Sequence, residues 1–198
     1  MLKLGITGGI GSGKTIVCEI FNTLHVPVYL ADDRAKFLTE TDTEIQNSII
    51  REFGEESFIN STYNRQYIAS VVFYEKEKLQ ALNRIIHPKV EKDFSDWYKK
   101  QKSSYVVHEA AILFESGVYK QMDYTLFVDA PVNYRIERVV KRDGIPGEQV
   151  KLRLKNQWPA DKIRNMADWT VINDGKTLIL PRILEIHKFL TEINKANG

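Results

Sequence analysis

Lys3-Leu4-Gly5-Ile6-Thr7-Gly8-Gly9-Ile10-Gly11-Ser12-Gly13-Lys14-Thr15 decides the reading of this chain. Gly8, Gly13, Lys14 and Thr15 fill the fixed positions of G-x-x-x-x-G-K-[ST]. The spacing has a chemical reason. Successive amide N–H groups must curl around a phosphate, and the extra glycines Gly9 and Gly11 let the backbone approach closely. Lys14 then reaches the β- and γ-phosphates, and the Thr15 hydroxyl holds Mg²⁺. The flanks agree: Leu2 to Ile6 is an apolar run that reads as a short buried strand. Ile16, Val17, Ile20, Phe21 and Leu24 recur at helical spacing on one face. Strand, glycine loop and helix therefore stand in the order a phosphate loop requires, with the positive end of the helix toward the anion. The motif names a nucleoside triphosphate and leaves the reaction open.

Composition narrows the setting. A chain of 198 residues with 43% hydrophobic content fits one globular domain with a real core. The net charge of +2, with both signs interspersed, gives no argument for a nucleic-acid or membrane partner. The single cysteine, Cys18, rules out an intrachain disulfide and reads as a small packing residue. The start of the chain reads as strand and motif rather than a signal peptide, and no apolar run approaches the length of a membrane span. A reducing, cytoplasmic setting is the default expectation.

Farther along, Pro27–Ala31 reads as a second strand that ends at Asp32-Asp33. Ligands of open parallel sheets sit at the carboxyl ends of strands, so these acids are placed for chemistry, as a helix cap, or as both. Thr41-Asp42-Thr43-Glu44 reads as a capping box opening a helix with Ile45, Ile49 and Phe53 on one face, stopped by Gly54. Residues 57–64 read as a loop and 65–86 as helix, with His87-Pro88 breaking the run before another helix to about Lys102. This helical stretch is long for a crossover and reads as an inserted substrate-binding region. Tyr105–Phe114 holds the third strand and its exit. Within it Glu109 interrupts an apolar run, where a carboxylate is suited to holding a metal-bound water. Tyr124–Pro131 is the fourth strand. Arg135, Arg138 and Arg142 share one face of the next helix, opposite Ile136, Val139 and Val140. Arg138 and Arg142 read as a phosphate clamp and Arg135 as part of a solvated face. A second helix, Glu148–Trp158, completes a mobile lid. Asp168–Asn173 is the fifth strand, with Asn173 at its end placed to meet the adenine. Thr177–Lys195 is the last helix, with His187 on its surface.

Guanine-reading and transporter-ATPase signatures are missing, which points to a small-molecule kinase. At this level the chain resembles the dephospho-coenzyme A kinase family of P-loop kinases. The resemblance rests on Thr7–Lys14, Ala31-Asp32 within a D-A-D motif, Leu82-Asn83 through His87-Pro88, Ile112-Leu113-Phe114-Glu115, Arg138 with Arg142-Asp143, Arg153 with Gln157, and Ala167-Asp168 with Asn173. Leu30 replaces the first Asp of D-A-D, Ala111 replaces a Pro, Glu109 stands where many members have Asp, and Ile172 where an Asp often precedes the Asn.

The resemblance implies an α/β, three-layer P-loop kinase fold: a five-stranded parallel sheet, an inserted helical substrate-binding region and a helical lid. One kinase domain would comprise a core at about 1–32, 105–134 and 160–198, an acceptor region at about 33–104 and a lid at about 135–159. It implies ATP- and Mg²⁺-dependent phosphorylation of the ribose 3′-hydroxyl of dephospho-coenzyme A. Gly8, Gly9, Gly11, Ser12, Gly13, Lys14, Thr15 and Ile16, with Asn173, would bind the nucleotide. Asp32 would accept or orient the acceptor proton, or help hold the metal's water. Glu109 would support Mg²⁺ through water beside Thr15 and border the acceptor, which His87 would contact. Lys14, Arg138 and Arg142 would offset charge on the transferring oxygens. A kinase of another nucleoside or sugar shares the loop and lid, and a non-catalytic nucleotide-binding module shares the loop alone.

Overall fold

The protein is described here from a computed structural model that covers residues 1–155 and 157–196. Along the chain come β1 (Leu2–Thr7), α1 (Lys14–Thr23), β2 (Val28–Leu30), α2 (Ala31–Thr41) and α3 (Thr43–Phe53). A short hairpin, β3 (Phe58–Ile59) with β4 (Thr62–Tyr63), precedes α4 (Arg65–Tyr74) and α5 (Lys76–Tyr98). The chain then runs through β5 (Tyr105–Glu109), β6 (Tyr124–Asp129), α6 (Val132–Asp143), α7 (Gly147–Lys155), α8 (Ala160–Met166), β7 (Trp169–Ile172) and α9 (Ile179–Ala196). It divides into two compact units, Met1–Leu30 with Gln101–Gly198, and Ala31–Lys100.

In the first unit the sheet order is β2-β5-β1-β6-β7, and every pairing is parallel. The expected five-stranded parallel sheet is therefore present, with the strand that feeds the glycine loop at its centre. Side chains alternate across β6: Leu126 and Val128 join α1 (Val17, Cys18, Phe21) and α9 (Ile183, Ile186, Leu190) in one core layer. Phe127 points to the other face and packs with Phe114 and Ile163 of α8. Each such fully buried large side chain stabilises the fold by roughly 1.5–3 kcal/mol, and together they fix the strand ends from which the loop springs.

Several local expectations are corrected. The seventh helix stops at Lys155 rather than Trp158, and Asn156, within the expected span, lies outside the described residues. Pro159, read as a helix stop, instead opens α8 from the N-cap position; that helix buries only Ile163, too little periodicity to betray it. His187 is half-buried rather than on the surface, its Nδ1 2.9 Å from the Tyr105 hydroxyl. Arg135 is buried with Val139 on the inner side of α6, whereas Val140 is partly exposed, so the solvated face assigned to Arg135 is reversed.

The second unit has its own core, in which Ile45, Ile49, Phe53, Ile68, Ala81 and Leu82 meet. The cap of α3 is Asp42, not Thr41: its carboxylate accepts from the Glu44 and Ile45 N–H groups at 2.9 and 3.0 Å. Thr41 is still in α2, its hydroxyl donating to Phe37 O at 2.8 Å. Those N–H groups, with Lys89, hold the Asp42 carboxyl below its ordinary pKa. Part of the expected 57–64 loop is the hairpin, turned by Asn60 and Ser61 at φ 48 and 63, as a tight two-residue hairpin turn requires. The expected break at His87-Pro88 does not occur: α5 runs through Pro88, and the chain breaks at Glu75 instead. Buried Ala81, Leu82 and Phe94 on both sides of the proline outweigh its local cost of roughly 3 kcal/mol.

Candidate active site

The site begins where β1 ends. Gly13, at φ 94, turns the loop into α1, whose N-terminus has no side-chain cap and no acid in its first turn. A helix start of this kind leaves its leading amides and its dipole to an anion. Ser12 N–H donates to Gly9 O at 3.0 Å, tightening the loop. The Ser12 hydroxyl is buried and has no hydrogen-bond partner among the described residues, and a Cβ on Gly8 would lie 2.5 Å from it. Lys14 Nζ donates to Gly8 O at 2.9 Å and lies 3.6 Å from Glu109 Oε1. Glu109 closes β5, in register with Ile6 of β1 and Leu30 of β2, and is almost wholly buried. Cation and carboxylate thus stand together at the carboxyl end of the sheet. Thr15 and Ile16, next along α1, are exposed.

A bracket of side chains grips the loop. Arg135 Nε donates to Ile10 O at 3.0 Å, and Gln157 Oε1 accepts from Ile10 N–H at 3.0 Å and from Arg135 Nη2 at 3.3 Å. Arg138 Nη1 reaches Gly11 O and Ser12 O at 3.4 and 3.5 Å, while its Nη2 reaches the backbone and side-chain oxygens of Asn173 at 3.2 and 3.3 Å. Asn173 Nδ2 donates to Ser12 O at 2.9 Å. The glycines match these neighbours. A Cβ on Gly9 would fall 1.8 Å from Arg135 Nη2, on Gly11 2.4 Å from Arg135 O, and on Gly13 2.1 Å from Asn173 Nδ2. Close approach at Gly9 and Gly11 therefore serves α6 as well as any phosphate.

Beyond the bracket, Trp158 N–H donates to Glu115 Oε1 at 3.0 Å, tying the end of the expected lid to the exit of β5. A cavity of about 360 Å³ opens beside Gly9, between Ala111, Phe127, Leu154 and Trp158. Arg142 stands elsewhere: it is exposed, with Nε and Nη2 on the Asp143 carboxylate at 2.6 and 3.0 Å, and Arg153 lies 3.9 Å from the same group. Arg142 beside Asp143 holds that carboxyl below its ordinary range.

In the second unit, Asp32 and Asp33 both lie in the first turn of α2, which starts at Ala31, so neither is its cap. Asp33 pairs with Lys36 at 2.7 Å. Arg34 makes a two-pronged bond to Asp93 at 2.8 and 2.7 Å. His87 sits within α5, and burial lowers its pKa.

Of the residues expected at the site, the loop from Gly8 to Lys14 is brought together with Glu109, Arg138 and Asn173. Arg142 is engaged with Asp143, and Asn173 spends its amide on the loop. Arg135 and Gln157 are the grip that the sequence reading missed. The extra glycines Gly9 and Gly11, read as room for a phosphate alone, were the available clue, since glycine is needed wherever other atoms crowd the backbone.

A parallel sheet in this order, with a phosphate loop after its central strand and a lysine and carboxylate at its mouth, defines a P-loop nucleotide-binding protein. The model of the dephospho-CoA kinase family matches residues 2–178. A dephospho-CoA kinase of Bacteroides fragilis is 36% identical over 96% of this chain and 93% of its own length. One from Porphyromonas gingivalis is 37% identical over 94% and 93%. A Thermus thermophilus protein of known crystal structure superposes with a TM-score of 0.86 at 31% identity, over 94% of this chain and 95% of that one. The chain belongs to the dephospho-CoA kinase family, and is a phosphotransferase of coenzyme A biosynthesis.

Proposed function

We propose that this chain transfers the γ-phosphate of ATP to the ribose 3′-hydroxyl of dephospho-CoA, giving coenzyme A and ADP. The observation that carries this is the phosphate loop with Lys14 beside Glu109, in a chain of this family. The loop amides and Lys14 hold the triphosphate. To reach it, Lys14 exchanges Gly8 O for phosphate oxygens, an exchange its flexible stem allows. Arg138, already on the loop, offsets charge from the same side, and Arg142 exchanges Asp143 for the transferring group as the lid, residues 135–159, closes. Closure excludes water that would otherwise compete as acceptor.

Magnesium fits the donor set, since the exposed Thr15 hydroxyl and the buried Glu109 carboxylate are hard oxygen ligands. Thr15 would hold it directly and Glu109 through water. When bound, it supplies charge neutralisation at the β- and γ-oxygens. Asp32 orients the acceptor hydroxyl and takes its proton, a role worth roughly 10²–10⁴ in rate. Leu30 leaves Asp32 as the only carboxylate of that motif. The helical region 33–104, with His87, whose pKa burial lowers, receives the acceptor. Among the described residues no helix is long and apolar enough to cross a membrane.

ADP release in ATP and Mg²⁺, with dephospho-CoA and then with a panel of nucleosides and sugars, tests the reading. Strong stimulation by dephospho-CoA alone is expected. Stimulation by a nucleoside or sugar instead would replace the acceptor, and ATP binding with no stimulation would leave a non-catalytic module.

A further inference from the structure

Arg135 is costly where it stands. A guanidinium taken out of water needs its N–H groups satisfied and a partner for its charge. Here it is 8% exposed, and burial lowers its pKa against the opposing pull of Asp129. It lies against Gly9, where any side chain would displace it, and its side-chain hydrogen bonds go to Ile10 and to Gln157, which itself holds Ile10. Ile10 O accepts from its Nε, and Ile10 N–H donates to Gln157, which accepts from Arg135 as well. Both polar groups that Ile10 offers on the main chain are therefore taken by side chains from α6 and from the end of the lid segment. A loop apex held at its N–H and its C=O cannot swing about its neighbouring bonds, so the amides after it stay convergent. Glu115 fixes Trp158, the residue after Gln157, so the grip is itself anchored.

We infer that Arg135 is a positioning residue, which with Gln157 presets the phosphate loop in its nucleotide-binding curvature. It touches the loop from the Gly9 side and acts on the triphosphate only through it. The inference rests on the reading of the loop as the ATP site. Arg138 grips the same loop through Gly11 O and Ser12 O while Arg135 takes Ile10 O, so the two arginines hold successive carbonyls of the loop.

The test is ATP affinity by equilibrium titration, with KM for each substrate and kcat, in Arg135→Met, Arg135→Lys, Gln157→Leu and the double variant Arg135→Met/Gln157→Leu. Arg135→Met keeps the buried bulk and removes every donor. It is expected to weaken ATP binding roughly 10- to 100-fold, the range of a lost hydrogen bond to a charged group, while KM for the acceptor moves less than threefold. Arg135→Lys is expected to recover part of the loss, since an ammonium can serve Ile10 O without the fork to Gln157. The double variant is expected to lose much less than the product of the single losses, because both residues hold the same loop residue, Ile10, and each other. Arg135→Met with ATP affinity and kcat within twofold of the wild type overturns the inference, as do losses that multiply independently. If Arg135→Met does not fold, Gln157→Leu and Arg135→Lys decide it by the same split between the two KM values. A wild-type chain that binds no ATP overturns the functional reading, and this inference with it.

Discussion

Replacing Gly11 with alanine separates two penalties that usually come together. Gly11 has φ 77, so a Cβ there costs about 1–2 kcal/mol in conformation alone. That Cβ would also lie 2.4 Å from Arg135 O and 3.0 Å from Arg135 C and Cα, all backbone of α6. A helix backbone cannot rotate aside as a side-chain tip can, so overpacking adds roughly 1–3 kcal/mol. Gly144 provides the control: it has φ 67, and a Cβ on it would meet nothing within 4 Å. Gly144→Ala is therefore expected to lose about 1–2 kcal/mol and Gly11→Ala about 2–5 kcal/mol. In a domain of this size each kcal/mol lowers Tm by roughly 2–4 °C. Urea unfolding of both variants, with a thermal melt, reads the difference, and ATP titration reports the loop. Equal losses within 0.5 kcal/mol would refute the close approach of α6 to the loop, the contact on which the bracket depends.

Asp32→Asn should cost at least roughly 100-fold in kcat while ATP affinity changes little; turnover within a few fold of the wild type would remove Asp32 as the proton acceptor. Glu109→Gln is expected to raise the Mg²⁺ concentration for half-maximal activity roughly 10-fold or more, and an unchanged Mg²⁺ titration would make Glu109 a partner of Lys14 alone. His108 stacks on Tyr29 in the core, and burial pushes its pKa down to about 4 from 6.5. The unfolded chain takes this proton first as pH falls, so the contribution is complete above pH 6.5, diminishes below it and is fully lost below about 4. The loss reaches about 2 kcal/mol by pH 5, and a His108→Gln variant whose unfolding free energy falls as steeply from pH 7 to 5 would contradict it. Cys18, whose thiol burial pushes up to about 12, should react with a thiol reagent only as fast as the chain unfolds. Rapid labelling of the folded protein would refute its place in the core.

Legibility followed how local each cause was. The glycine loop, its strand and its helix could be read because spacing and hydrophobic period act within about twenty residues. The five parallel strands were legible from their apolar runs, whereas their order β2-β5-β1-β6-β7 appears only in the structure. Arg135 escaped because its partners Ile10 and Gln157 are distant in sequence, and because an arginine on a helix is ordinarily solvated. The cap of α3 was misplaced by one residue since Thr41 and Asp42 are both competent acceptors, and only the length of α2 decides between them. Pro88 was read as a break because its local cost is certain, whereas the packing that outweighs it comes from Ala81, Leu82 and Phe94 together. The placing of Asp32 just past the carboxyl end of β2 and of Glu109 at the carboxyl end of β5 was legible from position. What each does there depends on the substrate.

The measurement that tests the central claim most directly is the identity of the phosphorylated product. The protein is incubated with ATP, Mg²⁺ and dephospho-CoA, and the product is examined by mass and by its use as substrate in a coenzyme A-dependent acyl transfer. One added phosphate, equimolar ADP and a product active in that transfer are expected. ADP without a phosphorylated acceptor, or a phosphorylated product inert in the transfer, would contradict the claim.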